Sequence, residues 1–169
     1  MDVLLVDGYN IIGAWPELRT LKERDFSKAR ELLIEKMAEY QAYTGYQVIV
    51  VFDAHLSHGI EKRHSQYRID VIYTRENETA DERIEKMARE LKGIRTQIHV
   101  ATSDFTEQWA IFGQGALRKS ARELYNEMQG IEKGIEKSVN TENRRNRSGG
   151  LHLSEEISEI FEKWRRGGK

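Results

Sequence analysis

The chain has 169 residues, 38% of them hydrophobic and 33% charged, with a formal net charge of −1. That length suits one α/β domain, expected over 1–169, and the balanced charge means that any nucleic-acid site must be a local basic patch. With no cysteine in the chain, a disulfide scaffold, a thiolate zinc site and a cysteine nucleophile are excluded.

The first element is Val3-Leu4-Leu5-Val6, an apolar run that ends at Asp7 and is broken by Gly8-Tyr9-Asn10. Continuous runs of this length read as strands buried on both faces, as in a parallel sheet. VIVVF at 48–52 repeats the pattern, and residues 69–73 and 98–101 are weaker versions. Helical spacing lies between them. Ala29, Leu32, Leu33, Met37 and Tyr40 share one face; Ile84, Met87, Ala88 and Leu91 share another. Leu117, Ala121, Leu124, Tyr125 and Met128 predict a further helix. Thr79-Ala80-Asp81-Glu82 is a capping box that starts the helix before the fourth strand. Strand and helix alternation predicts an α/β fold of three layers, a mostly parallel sheet with helices on both faces.

After Gly130 the apolar pattern fails, and residues 138–150, rich in arginine and glycine, read as a mobile basic loop. A last helix is expected over 154–166, capped by Ser154, with Ile157, Ile160, Phe161 and Trp164 on its apolar face. No apolar stretch approaches the roughly 20 residues that span a bilayer, so a cytoplasmic protein with no membrane partner is expected.

Ligands of open α/β sheets bind outside the carboxyl ends of the strands. Asp7 ends the first predicted strand, Asp53 the second and Asp104 the fourth, while Asp81 sits in the first turn of a helix after the third. Gathered carboxylates repel one another, and a divalent cation relieves the repulsion. Hard oxygen donors in small number, with waters retained, suit Mg²⁺ or Mn²⁺. Such a cation activates water and neutralises charge on a phosphodiester. The bland alternatives are that single strand-end aspartates are turn or capping residues, and that Asp81 answers only to the helix dipole. Gly8 permits a tight turn, and Asn10 offers an amide to a carboxylate, a bound water or a phosphate.

Asp7-Gly8-Tyr9-Asn10, ENETADERIE, VATSD followed by Phe105, and GALRKSARELYNEM together resemble the YacP-like NYN proteins of Gram-positive bacteria, a branch of the PIN-like metal-dependent ribonucleases. The resemblance covers residues 1 to about 166. It implies a PIN-like fold and Mg²⁺- or Mn²⁺-dependent endonucleolytic cleavage of mRNA, at the A site of the translating ribosome. It implies Asp7, Asp81 and Asp104 as metal ligands and catalytic residues, with Asn10 and Asp53 assisting and Ser103 a hydroxyl neighbour.

The segment HLSHGIEKRHSQYR at 55–68 follows Asp53 and carries Lys62, Arg63, Arg68 and Tyr67. Cations there are candidates to attract an RNA backbone, and the aromatic to stack a base. Arg144, Arg145 and Arg147 form a second basic cluster, a candidate for phosphate contacts without sequence readout. Against each stands a merely solvated surface. The competing function is a non-catalytic RNA- or ribosome-binding module with the same fold. A phosphatase with an aspartyl nucleophile wants an acid where Tyr9 stands, and a receiver domain wants one where Tyr73-Thr74-Arg75 offers none.

Overall fold

In a computed structural model, residues 1–54, 68–103 and 109–148 are described, with side chains through 135. Asp104, Lys62, Arg63 and the helix expected at 154–166 lie outside the described residues.

The apolar runs become a five-stranded sheet in which every pairing is parallel, ordered β3-β2-β1-β4-β5. The strands are β1 (Asp2–Asp7), β2 (Gln47–Phe52), β3 (Asp70–Tyr73), β4 (Gln97–Ala101) and β5 (Leu117–Lys119). β1 is central, and Val3, Leu4, Leu5 and Val6 have no exposed surface. A strand covered on both faces needs apolar residues at successive positions, not alternate ones, and each such side chain contributes about 1.5–3 kcal/mol by burial.

The two faces carry separate cores. Leu4, Val6, Val48, Val50 and Phe52 pack beneath α1 (Gly8–Ala14), α2 (Pro16–Arg24), α3 (Phe26–Thr44) and α6 (Ala121–Ser148). Val3, Leu5, Ile49, Val51, Ile98 and Val100 pack beneath α4 (Ala80–Leu91) and the short α5 (Ala110–Gly113). α3 ends where Gly45 adopts φ +78°, a left-handed cap that glycine takes without penalty. Thr79 caps α4, its hydroxyl accepting from the Glu82 N–H at 3.2 Å, as the capping box predicts.

Two expectations are corrected. Leu117 is not helical: residues 117–119 form β5, beside β4. The helix then starts at Ala121 and continues to Ser148, so the segment from 138 to 148, expected as a loop, is helical. Leu124, Met128 and Ile131 are buried, and Ile135 packs on the same core, so the apolar stripe outlasts Gly130 by a turn and a half. Among the described residues no helix is long and apolar enough to cross a membrane.

Candidate active site

The chain leaves β1 toward β2 on one side, and later returns to place β4 on the other. The crevice where strand order reverses therefore lies at the carboxyl ends of β1 and β4. Asp7 is the last residue of β1, and its strand neighbour on β2 is Val51. Following Val3 and Leu5 by strand alternation, it lies on the face covered by α4. It is 8% exposed, and the fully buried Thr102 donates its hydroxyl to Asp7 Oδ2 at 3.5 Å.

α1 begins directly after Asp7, without a loop. The junction is tight: a Cβ on Gly8 would overlap the Phe52 ring edge. Tyr9 fills the space beside it, 4.9 Å from the Phe52 ring and 5.1 Å from Phe26, and so packs into the core instead of offering a stacking surface. Asn10, one turn on, is a clamp. Its Oδ1 accepts from the Ser103 backbone N–H at 2.6 Å and from the Ser103 hydroxyl at 2.8 Å. The amide thus ties the start of α1 to the end of β4 and closes the switch point.

Asp53 immediately follows β2, and its Oδ2 accepts from the Ala80 N–H, the first of α4, at 3.4 Å. It therefore bridges to the helix that carries Asp81. Thr74 holds the next residue: its buried hydroxyl accepts from the Ala54 N–H at 2.9 Å. Asp7 is thus joined to β4, and Asp53 to the start of α4 beside Asp81. Among the described residues no three acids or histidines converge as a metal-binding group; Asp104, the fourth acid, lies outside them.

The basic residues fall elsewhere. Arg68 precedes β3, with φ +58° and its carbonyl held by Gln41 Nε2 at 3.0 Å. It stands before the amino end of β3, whose first residue Asp70 is level with Leu5. Arg144, Arg145 and Arg147 ride on α6, roughly 35 Å from its start at the carboxyl edge. Both Arg68 and this cluster begin from backbone away from the carboxyl ends of β1 and β4. Thr102 and Thr74 are the site residues that sequence reading passed over. Their only signal is a hydroxyl immediately after a predicted buried strand.

Trp109 is 6% exposed and stacks near Phe112 at 5.9 Å, and Trp15 is 2% exposed; both are packing residues.

Known proteins carry the same pattern. The profile of the YacP-like NYN domain matches residues 4–166. A Bacillus subtilis (strain 168) protein called "Uncharacterized protein YacP" is 64% identical over 167 residues, spanning 99% of this chain and 98% of its own. The crystal structure of Rae1 (YacP) from Bacillus subtilis superposes with a TM-score of 0.79 at 64% identity, covering 99% of this chain and 96% of that one. That of its W164L mutant gives 0.77 at 61% identity, with the same coverage.

Proposed function

The chain belongs to the YacP-like NYN domain family, and on that footing we propose that it is a metal-dependent endoribonuclease of the cytoplasm that hydrolyses mRNA on the translating ribosome. The single observation that carries the reading is Asp7: a nearly buried carboxylate at the carboxyl end of the central strand, in the switch-point crevice. A carboxylate in so little water attracts positive charge strongly, because the local dielectric is low.

The donors offered by Asp7, Asp53 and Asp81 are all hard oxygens, which fit Mg²⁺ or Mn²⁺ and not a thiophilic metal. Asp7, Asp81 and Asp104 would hold the cation. When bound, it supplies water activation and charge neutralisation on the phosphodiester. The chain's own residues prepare the place. Thr102 fixes the Asp7 carboxylate, Asn10 locks α1 onto β4, and Asp53 fixes the start of α4 and with it Asp81. Lys62 and Arg63, nine and ten residues after Asp53, are candidate cations for an RNA backbone. Arg144, Arg145 and Arg147 stand more than twenty residues into α6, and they fall to contacts with the larger partner. A net charge of −1 gives little long-range pull on free RNA, which suits an enzyme whose substrate is presented by an assembly.

The test is cleavage of a reporter mRNA in a purified translation system, with and without ribosomes, and with an EDTA control on the ribosome-free samples. Wild type is expected to cut only with translating ribosomes. Asp7→Asn and Asp81→Asn, folded by circular dichroism, should lose about 10²-fold or more, the scale of losing several kcal/mol of transition-state stabilisation. Variants that cut like wild type would remove the acids from the chemistry. Wild type that sediments with ribosomes but never cuts would leave the binding-module alternative.

A further inference from the structure

The crevice closed by Asn10 and Ser103 does not end there. A cavity of about 470 Å³ opens between the end of α1 and the start of α6, and Ser103 is part of its wall. Three rings line it: Trp15, Pro16 and Tyr125. Trp15 is a fixed wall, its indole N–H donating to the Ala121 carbonyl at 2.8 Å. Tyr125 meets it edge to face, with ring centroids 5.7 Å apart and planes at 64°, and is itself half-buried. Ser120 and Arg122 stand where α6 begins. The Ser120 hydroxyl accepts from the Glu123 N–H at 3.0 Å, and Arg122 is exposed.

Apolar rings on the walls, a cation at the mouth and a volume within the usual 300–1,000 Å³ range or so of small-ligand sites select a flat aromatic ligand that carries a negative charge. A nucleotide of single-stranded RNA has that chemistry, and base stacking on aromatic side chains is sequence-tolerant. The shared Ser103 sets the cavity next to the Asp7 crevice. We propose that this cavity is a nucleotide subsite, taking the base adjacent to the scissile phosphate against Tyr125, with Arg122 on a flanking phosphate. The proposal rests on the ribonuclease reading for its substrate, but its site stands on separate residues.

The experiment is a titration of the whole protein, in EDTA, with AMP, UMP and inorganic phosphate, followed by two-dimensional ¹H–¹⁵N NMR. The Trp15 indole signal is assigned by its loss in Trp15→Phe. AMP and UMP should shift that signal together with the amides of residues 120–125, and phosphate alone should leave the indole unmoved. Tyr125→Leu, which stays apolar and loses the ring, should weaken AMP binding by about tenfold. Tyr125→Phe should retain it, and Arg122→Gln should weaken AMP more than adenosine. With ribosomes and mRNA, Tyr125→Leu should raise KM more than it lowers kcat. No shift at Trp15, equal effects of phosphate and AMP, or AMP affinity unchanged in Tyr125→Leu would overturn the subsite. Because the titration needs no cleavage, AMP binding by a protein that never cuts RNA would fault the nuclease reading and leave the subsite standing.

Discussion

At Gly8 the side chain is a matter of space. The residue links β1 to α1 with no loop between, and the Phe52 ring occupies the place a Cβ would take, with Cδ1 only 2.5 Å from it. Phe52 cannot swing clear, because Tyr9 and Tyr73 pack on it at 4.9 and 5.5 Å. Gly8→Ala should therefore cost about 1–3 kcal/mol in urea unfolding, the usual cost of overpacking, and should also slow cleavage by displacing Asp7. Asn10 acts by a different route. Asn10→Ala leaves the Ser103 N–H and hydroxyl without their acceptor in a part-buried place, for a loss of about 1–3 kcal/mol. An Asn10→Ala protein as stable as wild type would show that water replaces the clamp.

The elements were legible in proportion to how fully their side chains are committed. β1 and β2 announce themselves because both faces are buried, and α4 because its cap and its apolar stripe coincide. β5 was hidden. It is three residues long, Leu117 is 51% exposed, and what holds it is backbone pairing with β4, which leaves no mark on side-chain pattern. Leu117 also stands four residues before Ala121, so a strand residue mimics helical spacing. The far half of α6 was hidden because large apolar residues thin out after Gly130 and the segment turns basic and polar, although Ile131 and Ile135 continue the stripe. A bond across the helices supports the observed form, with Lys36 Nζ donating to Glu132 Oε1 at 2.6 Å. In the candidate site, Asp7 and Asp53 were legible as strand-end acids, but their supports were not. The bonds of Thr102 and Thr74 and the pairing of Asn10 with Ser103 exist only once β3, β2, β1 and β4 are placed side by side. A glycine inside a helix gives the test at this scale. A Cβ on Gly130 meets nothing within 4 Å, so Gly130→Ala should stabilise the protein by about 0.5–1 kcal/mol in urea unfolding. No gain would mean that residue 130 is not in a helix interior in solution.

On the scale of the whole molecule, the two cores differ in what they bury. Beneath α4 the apolar cluster ends at the buried Asp7 carboxylate, whereas the side under α3 and α6 encloses phenols and a charged network. Tyr40 is 1% exposed, donates its hydroxyl to Glu127 Oε2 at 2.6 Å, and accepts from Lys119 Nζ at 3.2 Å. Burial, reinforced by the bond to Glu127, pushes its hydroxyl far above the ordinary tyrosine value. Burial also raises Tyr46 and Tyr73, and for Tyr46 the Asp2 carboxylate adds to it. The sign of the linkage follows. Below pH 10 both folded and unfolded chains hold these protons, so the contribution to stability is intact. Above about pH 10 the unfolded chain releases protons that the folded chain keeps, and stability falls as pH rises. Unfolding free energy measured in urea should accordingly lose ground from pH 10 upward. Each retained proton steepens the fall by at most about 1.4 kcal/mol per pH unit. Tyr40→Phe removes one such proton. Its stability at pH 8 should drop with the lost hydrogen bonds, but its decline between pH 10 and 11.5 should be shallower than that of wild type by up to that amount. Parallel curves for the two proteins would mean that Tyr40 titrates alike in the folded and unfolded chains, and that the phenol is not enclosed between α3 and α6 as the packing places it.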